Sequence, residues 1–404
     1  YNEAENKKGM VMNMNNKNWV SVWGNAVSIA EHHPEAYAKY ITLRYPVYIP
    51  FAGDTLRFTF DNYCGSEAVT VTRATVSAAT SPVYEKMPLA CPCKKETICD
   101  ITFSKNESVT MEAHQTAVSD PVSFPVKKGM TLTVSLYFAD FTLMQSAVLV
   151  TGPLSKGFFS LGDQTHADAL PMDTTKTTNW FYFLSNIELM TAEENHTVIC
   201  YGDSITAGAW PDYLTLLARQ NPDNHTAFIR RATSGSRVLR QYECITYDSY
   251  GLKGTNRFPH EIPTTGADTV IIQQGINDII HPVGIETNPF RPMSDLPTAK
   301  ELIDGYRYYI EEAKKSHLKV YMGTLLPIFG WRTYATFRDD LRNELNAWIR
   351  SAKEIDGCID FDLALRGSEN PSAFREGFDS GDHLHPSSKA YQAMAECAYE
   401  VLQR

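Results

Sequence analysis

The chain has 404 residues, 43% of them hydrophobic and 21% charged, with a net charge of −10. That length exceeds one ordinary core and sets a prior of two domains in a soluble globular protein. The acidic balance argues against nucleic acid as a partner, because phosphate binding needs a basic surface, and no apolar stretch approaches the roughly 18 residues of a membrane span.

Residues 1–16 are polar and are expected to fray. From about Trp19 to about Phe183 the pattern is that of strands. Leu56-Arg57-Phe58-Thr59-Phe60 alternates with period two, as does the run from Thr131 to Phe138, and Val69–Thr72 and Ser108–Met111 add shorter candidates. Many short alternating runs separated by Gly, Pro, Asp and Asn predict an antiparallel β-sandwich, jelly-roll-like, over residues 1–185. Cys91-Pro92-Cys93 with Cys99 falls short of paired zinc-ligand spacing, so no metal is expected there, and the segment reads as a loop of thiols with at most one disulfide.

Beyond Asn186 short apolar runs alternate with amphipathic segments. Strands are expected at 197–201, 226–230, 269–273, 318–323 and 358–361. Leu302, Ile303, Tyr306, Ile310 and Ala313 share one helical face, a second helix is expected from Phe337 to Ile349, and a last one from Pro386. Strand–helix alternation predicts a parallel sheet covered on both faces over 186–404, with the crossing between domains in the stretch from Ser185 to Glu194.

Four segments carry chemistry. Gly202-Asp203-Ser204 follows the run Thr197–Tyr201, which puts a serine hydroxyl at the carboxyl end of a strand, where sites form in open α/β sheets. Thr233-Ser234-Gly235 follows the next strand, and its glycine can present a backbone N–H to an anion; alone it is an ordinary turn. Gly275-Ile276-Asn277-Asp278 places an amide donor at a third strand end, where an Asx turn or a helix cap is the commoner fate. In Asp382-His383-Leu384-His385-Pro386 a carboxylate and an imidazole three residues apart can meet across a tight turn. His383 is the rival base, and His385 is preferred because Pro386 fixes its backbone.

Together and in this order the segments resemble the SGNH, or GDSL-type, hydrolase superfamily over about residues 195–403. The resemblance extends to Trp210–Leu214, Thr324–Pro327 and Ile359–Asp362, and the β-rich half resembles the N-terminal domain of a two-domain branch of these enzymes. It implies a flavodoxin-like three-layer α/β domain and ester hydrolysis by a Ser204–His385–Asp382 triad. The oxyanion donors it implies are the Ser204 and Gly235 backbone N–H groups and the Asn277 side chain. Asp203 and Asp278 are expected to shape their own turns. One departure stands out: where the family often has Asn-x-Gly-x-Ser-Gly, this chain has Arg230-Arg231-Ala232-Thr233-Ser234-Gly235. Arg231 or Arg237 facing the cleft would favour an anionic substrate; a solvated or structural arginine is the plainer reading of both.

The expected substrate is a small-molecule or oligosaccharide ester, with O-acetyl on a carbohydrate favoured over lysophospholipids or other small acyl esters. Trp210 and Trp331 are the candidate substrate-binding aromatics, although a core aromatic is the commoner case. A catalytically inactive glycan-binding protein is the alternative of a different class. The sandwich is expected to pack as a wall of the cleft. No cofactor, metal, nucleic acid or membrane is called for, and His32-His33, His260 and His281 show no ligand spacing. No signal peptide is visible, and the cytoplasm is slightly preferred over secretion.

Overall fold

The structure is a computed structural model and describes residues 17–30 and 37–403. The polar start and the His32-His33 pair lie outside the described residues.

The N-terminal half is a sandwich of two antiparallel sheets. One carries Lys17–Gly24, Leu184–Ala192 and Gly53–Asp61, with Thr116–Val118 and Val122–Val126 both along the last of these. The other runs Lys176–Thr178, Gly157–Leu161, Ile41–Tyr48, Thr131–Phe138, Arg73–Ala78 and Cys99–Ile101. Inward residues of both sheets, among them Leu56, Phe58, Phe60, Val47, Leu132 and Leu136, share one core. Thr131–Phe138 is buried at every position, so its outer face is covered too. The cover includes Val83, Met87, Cys91 and Leu170. The buried Arg44 guanidinium holds this cover by donating to the carbonyls of Cys91, Gln164 and Ala167. Cys91 and Cys93 are therefore buried loop thiols, without a disulfide.

The C-terminal half is a five-stranded parallel sheet: β1 (His196–Gly202), β2 (Thr226–Ala232), β3 (Ala267–Gln273), β4 (Lys319–Gly323) and β5 (Gly357–Ile359). Its order is β2-β1-β3-β4-β5, so the winding reverses beside β1. The central strands are apolar on both faces because helices cover both. α1 (Ser204–Ala207), α2 (Trp210–Arg219), α7 (Phe361–Leu365) and α8 (Ser388–Leu402) pack on one side. α3 (Gly254–Glu261), α4 (Ile276–Ile280), α5 (Ala299–Lys315) and α6 (Thr336–Ser351) pack on the other. A Thr298–Glu301 capping box starts α5, whose Leu302, Tyr306, Tyr309, Ile310 and Ala313 point into the core.

Two expectations shift. The stretch read as a link between the halves is a nine-residue strand, Leu184–Ala192, inside the first sheet. Its polar residues suggested a linker, but they are buried and paired: Asn186 donates to Ser21 Oγ, and Glu188 pairs with Arg57. The last helix starts at Ser388, not Pro386, because the Ser387 hydroxyl accepts from the Ala390 N–H and takes the N-cap position.

The halves share a buried seam. Lys17–Gly24 lies along β2 and β1, and Thr197 Oγ1 donates to the Ser21 carbonyl at 2.7 Å. Ala207, Ala227 and Ala232 of the second half belong to the sandwich core. Arg231 crosses the seam and donates to the carbonyls of Asn25 (2.6 Å), Ser185 (2.9 Å) and Glu261 (3.3 Å) and to Asn186 Oδ1 (3.1 Å). Arg230 pairs with Asp212 at 2.8 Å and donates to Ser155 Oγ, while Asp212 accepts from the Leu154 N–H. Both arginines of the divergent block are therefore structural. Arg231→Met keeps the length but strips four acceptors of their donor, at about 1–3 kcal/mol for each group left unsatisfied. A loss of at least about 3 kcal/mol in urea unfolding is expected; a change inside the error of the measurement would show that the seam does not need the guanidinium.

Candidate active site

β1 ends at Gly202, where a side chain would stand 2.3 Å from the Gln273 carbonyl, so the strand closes on β3 only with glycine. Asp203 then caps α1, its Oδ1 accepting from the Ile205 N–H at 3.1 Å, and Ser204 is the first helical residue. The Ser204 Oγ lies 2.9 Å from His385 Nε2. His385 Nδ1 lies 2.6 Å from Asp382 Oδ2. With the ring proton on Nδ1, the imidazole donates to the carboxylate and accepts from the serine hydroxyl. The Asp382 Oδ1 accepts from the His385 N–H at 2.8 Å and the Leu384 N–H at 3.0 Å, so the carboxylate is fixed by its own turn. Partial burial works against its charge, but the His385 ring and these N–H groups outweigh it and hold the Asp382 pKa down at about 2.

The rival histidine is turned elsewhere. His383 has a φ of +64° and pairs with Asp379 at 2.5 Å. It lies against Gly330, where a Cβ would come 2.8 Å from its ring.

The other nominated residues leave the neighbouring strands at the same level. Gly202 pairs in register with Ala232 of β2 and Gln273 of β3, and the segments bearing Gly235 and Asn277 start there. Gly235 has a φ of +78°, in a turn closed by the Ser236 N–H on the Thr233 carbonyl, and any side chain would meet the Tyr250 ring at 2.3 Å. Asn277 is buried and donates through Nδ2 to the Ser236 carbonyl at 3.1 Å, which ties its amide to the Gly235 turn. Asp278, expected to shape its own turn, instead reaches across and accepts from the N–H groups of Val238 (2.7 Å) and Leu239 (3.1 Å).

The two tryptophans part ways. Trp210 is fully buried, 5.5 Å from the Phe361 ring, and donates to Thr206 Oγ1 at 3.3 Å. It is a core residue, not a substrate-binding one, because α2 turns it onto the sheet. Trp331 is half-buried in the loop after β4, with an indole N–H that is buried and unpaired among the described residues. The exposed aromatic of that loop is Phe329, set edge-on to Tyr334. Arg237, weighed as a cleft residue, is buried with its guanidinium 4.3 Å from the Tyr242 ring and 3.1 Å from Asp295. Sequence reasoning missed Tyr250, which seats the Gly235 turn from fifteen positions away in no recognisable pattern; its only sequence mark is the aromatic density of 242–250.

A serine at the switch point of a parallel sheet, joined to an imidazole and a carboxylate, defines the class of α/β hydrolases that work through a serine hydroxyl. Residues 200–393 match the GDSL-like lipase/acylhydrolase family, and the C-terminal half belongs to the SGNH, or GDSL-type, hydrolases: it is a carboxylic ester hydrolase, a serine esterase. No curated protein matches the chain. Solved structures similar to it include a GDSL-like lipase from Bacteroides thetaiotaomicron, 19% identical over 52% of this chain and 90% of its own, with a TM-score of 0.38. A member of the lipolytic G-D-S-L family from Veillonella parvula is 18% identical over 52% of this chain and 99% of its own, with a TM-score of 0.35. An acetylxylan esterase from Geobacillus stearothermophilus is 16% identical over 51% of this chain and 93% of its own, with a TM-score of 0.37. The assignment rests on the family match, not on these distant likenesses.

Beside the serine sits a carboxyl group that burial makes reluctant to ionise. Burial pushes Asp203 up to about 7, the Ile205 N–H opposes this, and the charge of Asp278 adds to it. A carboxyl whose folded pKa lies above its unfolded value of about 3.9 favours folding below that value, and loses the favour as pH rises toward 7. Asp203→Asn, which cannot ionise, is therefore expected to gain stability relative to the parent between pH 4 and pH 7. Urea midpoints across that range measure it; a difference that does not vary with pH would place the Asp203 pKa back in the ordinary range.

Proposed function

We propose that Ser204, His385 and Asp382 are the catalytic triad of an esterase that removes short acyl groups, O-acetyl foremost, from carbohydrate. The observation that carries this reading is the unbroken line Ser204 Oγ–His385 Nε2, His385 Nδ1–Asp382 Oδ2, at 2.9 and 2.6 Å.

In the first half-reaction the Ser204 oxygen attacks the ester carbonyl while His385 takes its proton. The ionised Asp382 stabilises the imidazolium. The carbonyl oxygen gains negative charge and accepts from the Ser204 and Gly235 N–H groups and the Asn277 amide. One Asn277 N–H is held by the Ser236 carbonyl, which leaves the second N–H as the donor. The tetrahedral intermediate collapses, and His385 returns the proton to the departing alcohol. Water then repeats the sequence on the acyl-enzyme, releasing the acid and restoring Ser204.

Two features favour a carbohydrate carrier. The His385 and Asp382 side chains remain 33% and 43% exposed, so the reacting atoms sit near an open surface that a polymer or oligomer can approach. The exposed Phe329 ring stands in the loop that packs on His383 and offers a sugar an apolar face.

Acetate release from acetylated xylan or mannan oligosaccharides should exceed release of longer acyl chains from matched esters; a preference for long chains would transfer the enzyme to the lipid esters. Ser204→Ala and His385→Ala should abolish turnover of 4-nitrophenyl acetate, and Asn277→Ala should lower kcat about 10²–10³-fold with the fold intact. His383→Ala should retain turnover. The reverse pattern at the two histidines would exchange their roles.

A further inference from the structure

Arg291 is 8% exposed, and among the described residues its guanidinium has neither an ion-pair partner nor a hydrogen bond. A charge that far out of water is normally paired. What holds it is aromatic: the guanidinium carbon lies 4.4 Å from the centre of the Tyr247 ring and 5.9 Å from that of Tyr242. Its backbone is fixed as well. The Arg291 N–H donates to the Asn288 carbonyl, its own carbonyl accepts from the N–H groups of Val283 and Gly284, and the Asn288 side chain donates to the Tyr247 hydroxyl at 2.7 Å. Both the arginine and the ring beneath it are thus set in place before any ligand arrives.

This group is joined to the esterase site by a short path of rings. Tyr247 stacks on Tyr250 at 5.6 Å, and Tyr250 covers Gly235. Tyr250 also lies 5.2 Å from His281, which follows Asn277 by one helical turn. The cavity beside it carries Arg237, Arg240 and Lys253 against Glu243 and Asp295, in a chain whose net charge is −10. Burial above all, then Arg291, Arg237 and Arg332, press the His281 pKa well below its usual value, so that ring stays neutral and adds no charge. Asp295, the carboxylate that is paired here, is shared by Arg237 and Arg240. The neighbours of Arg291 in sequence, Phe290 and Pro292, line an open cavity of about 700 Å³ together with Arg237 and Tyr242.

We propose that Arg291, stacked on Tyr247, binds a carboxylate of the substrate, so that the enzyme selects esters of acidic sugars. The proposal rests on the reading of Ser204 as the nucleophile and names the substrate class of that site. A planar guanidinium accepts a planar carboxylate through two parallel hydrogen bonds, and the exposed Phe290 ring, edge-on to Tyr247, can support the sugar that carries it. The carboxylate supplies the counter-charge that Arg291 lacks among the described residues.

The test compares an O-acetylated methyl glucuronide with its carboxyl methyl ester, the same acetate on the same ring without the charge. The parent enzyme should cleave the free acid with a kcat/KM at least about tenfold higher, the difference lying in KM. Arg291→Gln should bring that ratio to near one, and Arg291→Lys, which keeps charge but loses the fork, to a value between. Equal rates on acid and methyl ester in the parent, or a ratio that Arg291→Gln leaves alone, would overturn the proposal. Melting temperatures of both variants separate this from misfolding, because a folding defect lowers both rates and spares the ratio. Binding of glucuronate to Ser204→Ala, measured by calorimetry, reads the subsite without turnover. If the parent hydrolyses no ester while glucuronate still binds, the esterase reading fails and the subsite stands; if esters turn over and glucuronate does not bind, the subsite fails and the esterase reading stands.

Discussion

The site depends on a constraint at the end of one strand. β1 is hydrogen-bonded on both sides, and its last residue, Gly202, faces Ala232 on one neighbour and Gln273 on the other. Three chain segments must therefore leave the sheet together, and because the winding reverses there they diverge and open a crevice. A glycine is required at that point, since Gln273 leaves no room for a side chain. The serine, the Gly235 turn and the Asn277 amide take their positions from this shared level. His385 and Asp382, on the approach to α8, bring the remaining groups from the far end of the chain.

Much of this was legible in the sequence for a physical reason. Parallel strands covered on both faces read as nearly unbroken apolar runs, so all five were placed to within about two residues. Three of the four chemistry-bearing segments were legible because each follows the end of a strand, and Ser204, His385 and Asp382 stand in one hydrogen-bonded line. What sequence reasoning could not see was burial of polar groups. Ser185, Asn186 and Glu188 look like linker residues and are instead inside a sheet. Trp210 looks like a site residue because it follows the serine closely, yet it opens α2 with its ring buried in the core. Arg44, Arg230, Arg231 and Arg291 are all buried, and no local pattern separates the three that meet fixed acceptors from the one that meets none among the described residues.

Those arginines also show how the fold manages charge. Arg230 meets a carboxylate, while Arg44 and Arg231 meet rows of carbonyl groups, and each satisfies loops or strands that end without partners. Near the serine the balance is reversed: Asp203 and Asp278 are buried, and burial raises both, to about 7 and about 6. Burial of these two carboxyls thus works against negative charge close to the place where an oxyanion has to form. Burial thus raises the two carboxyls nearest the serine, while the Arg291 guanidinium has no ion-pair partner among the described residues.

The Arg231 clamp bears on how such a chain is inherited. It lies four residues ahead of Gly235, and it spends its donors on carbonyls of Asn25 and Ser185, more than 150 residues apart in the sandwich. A recombination event that moved residues 196–403 without the sandwich would carry off a buried cation and expose Ala207, Ala227 and Ala232. A transfer that kept this seam covered would have to move both halves together.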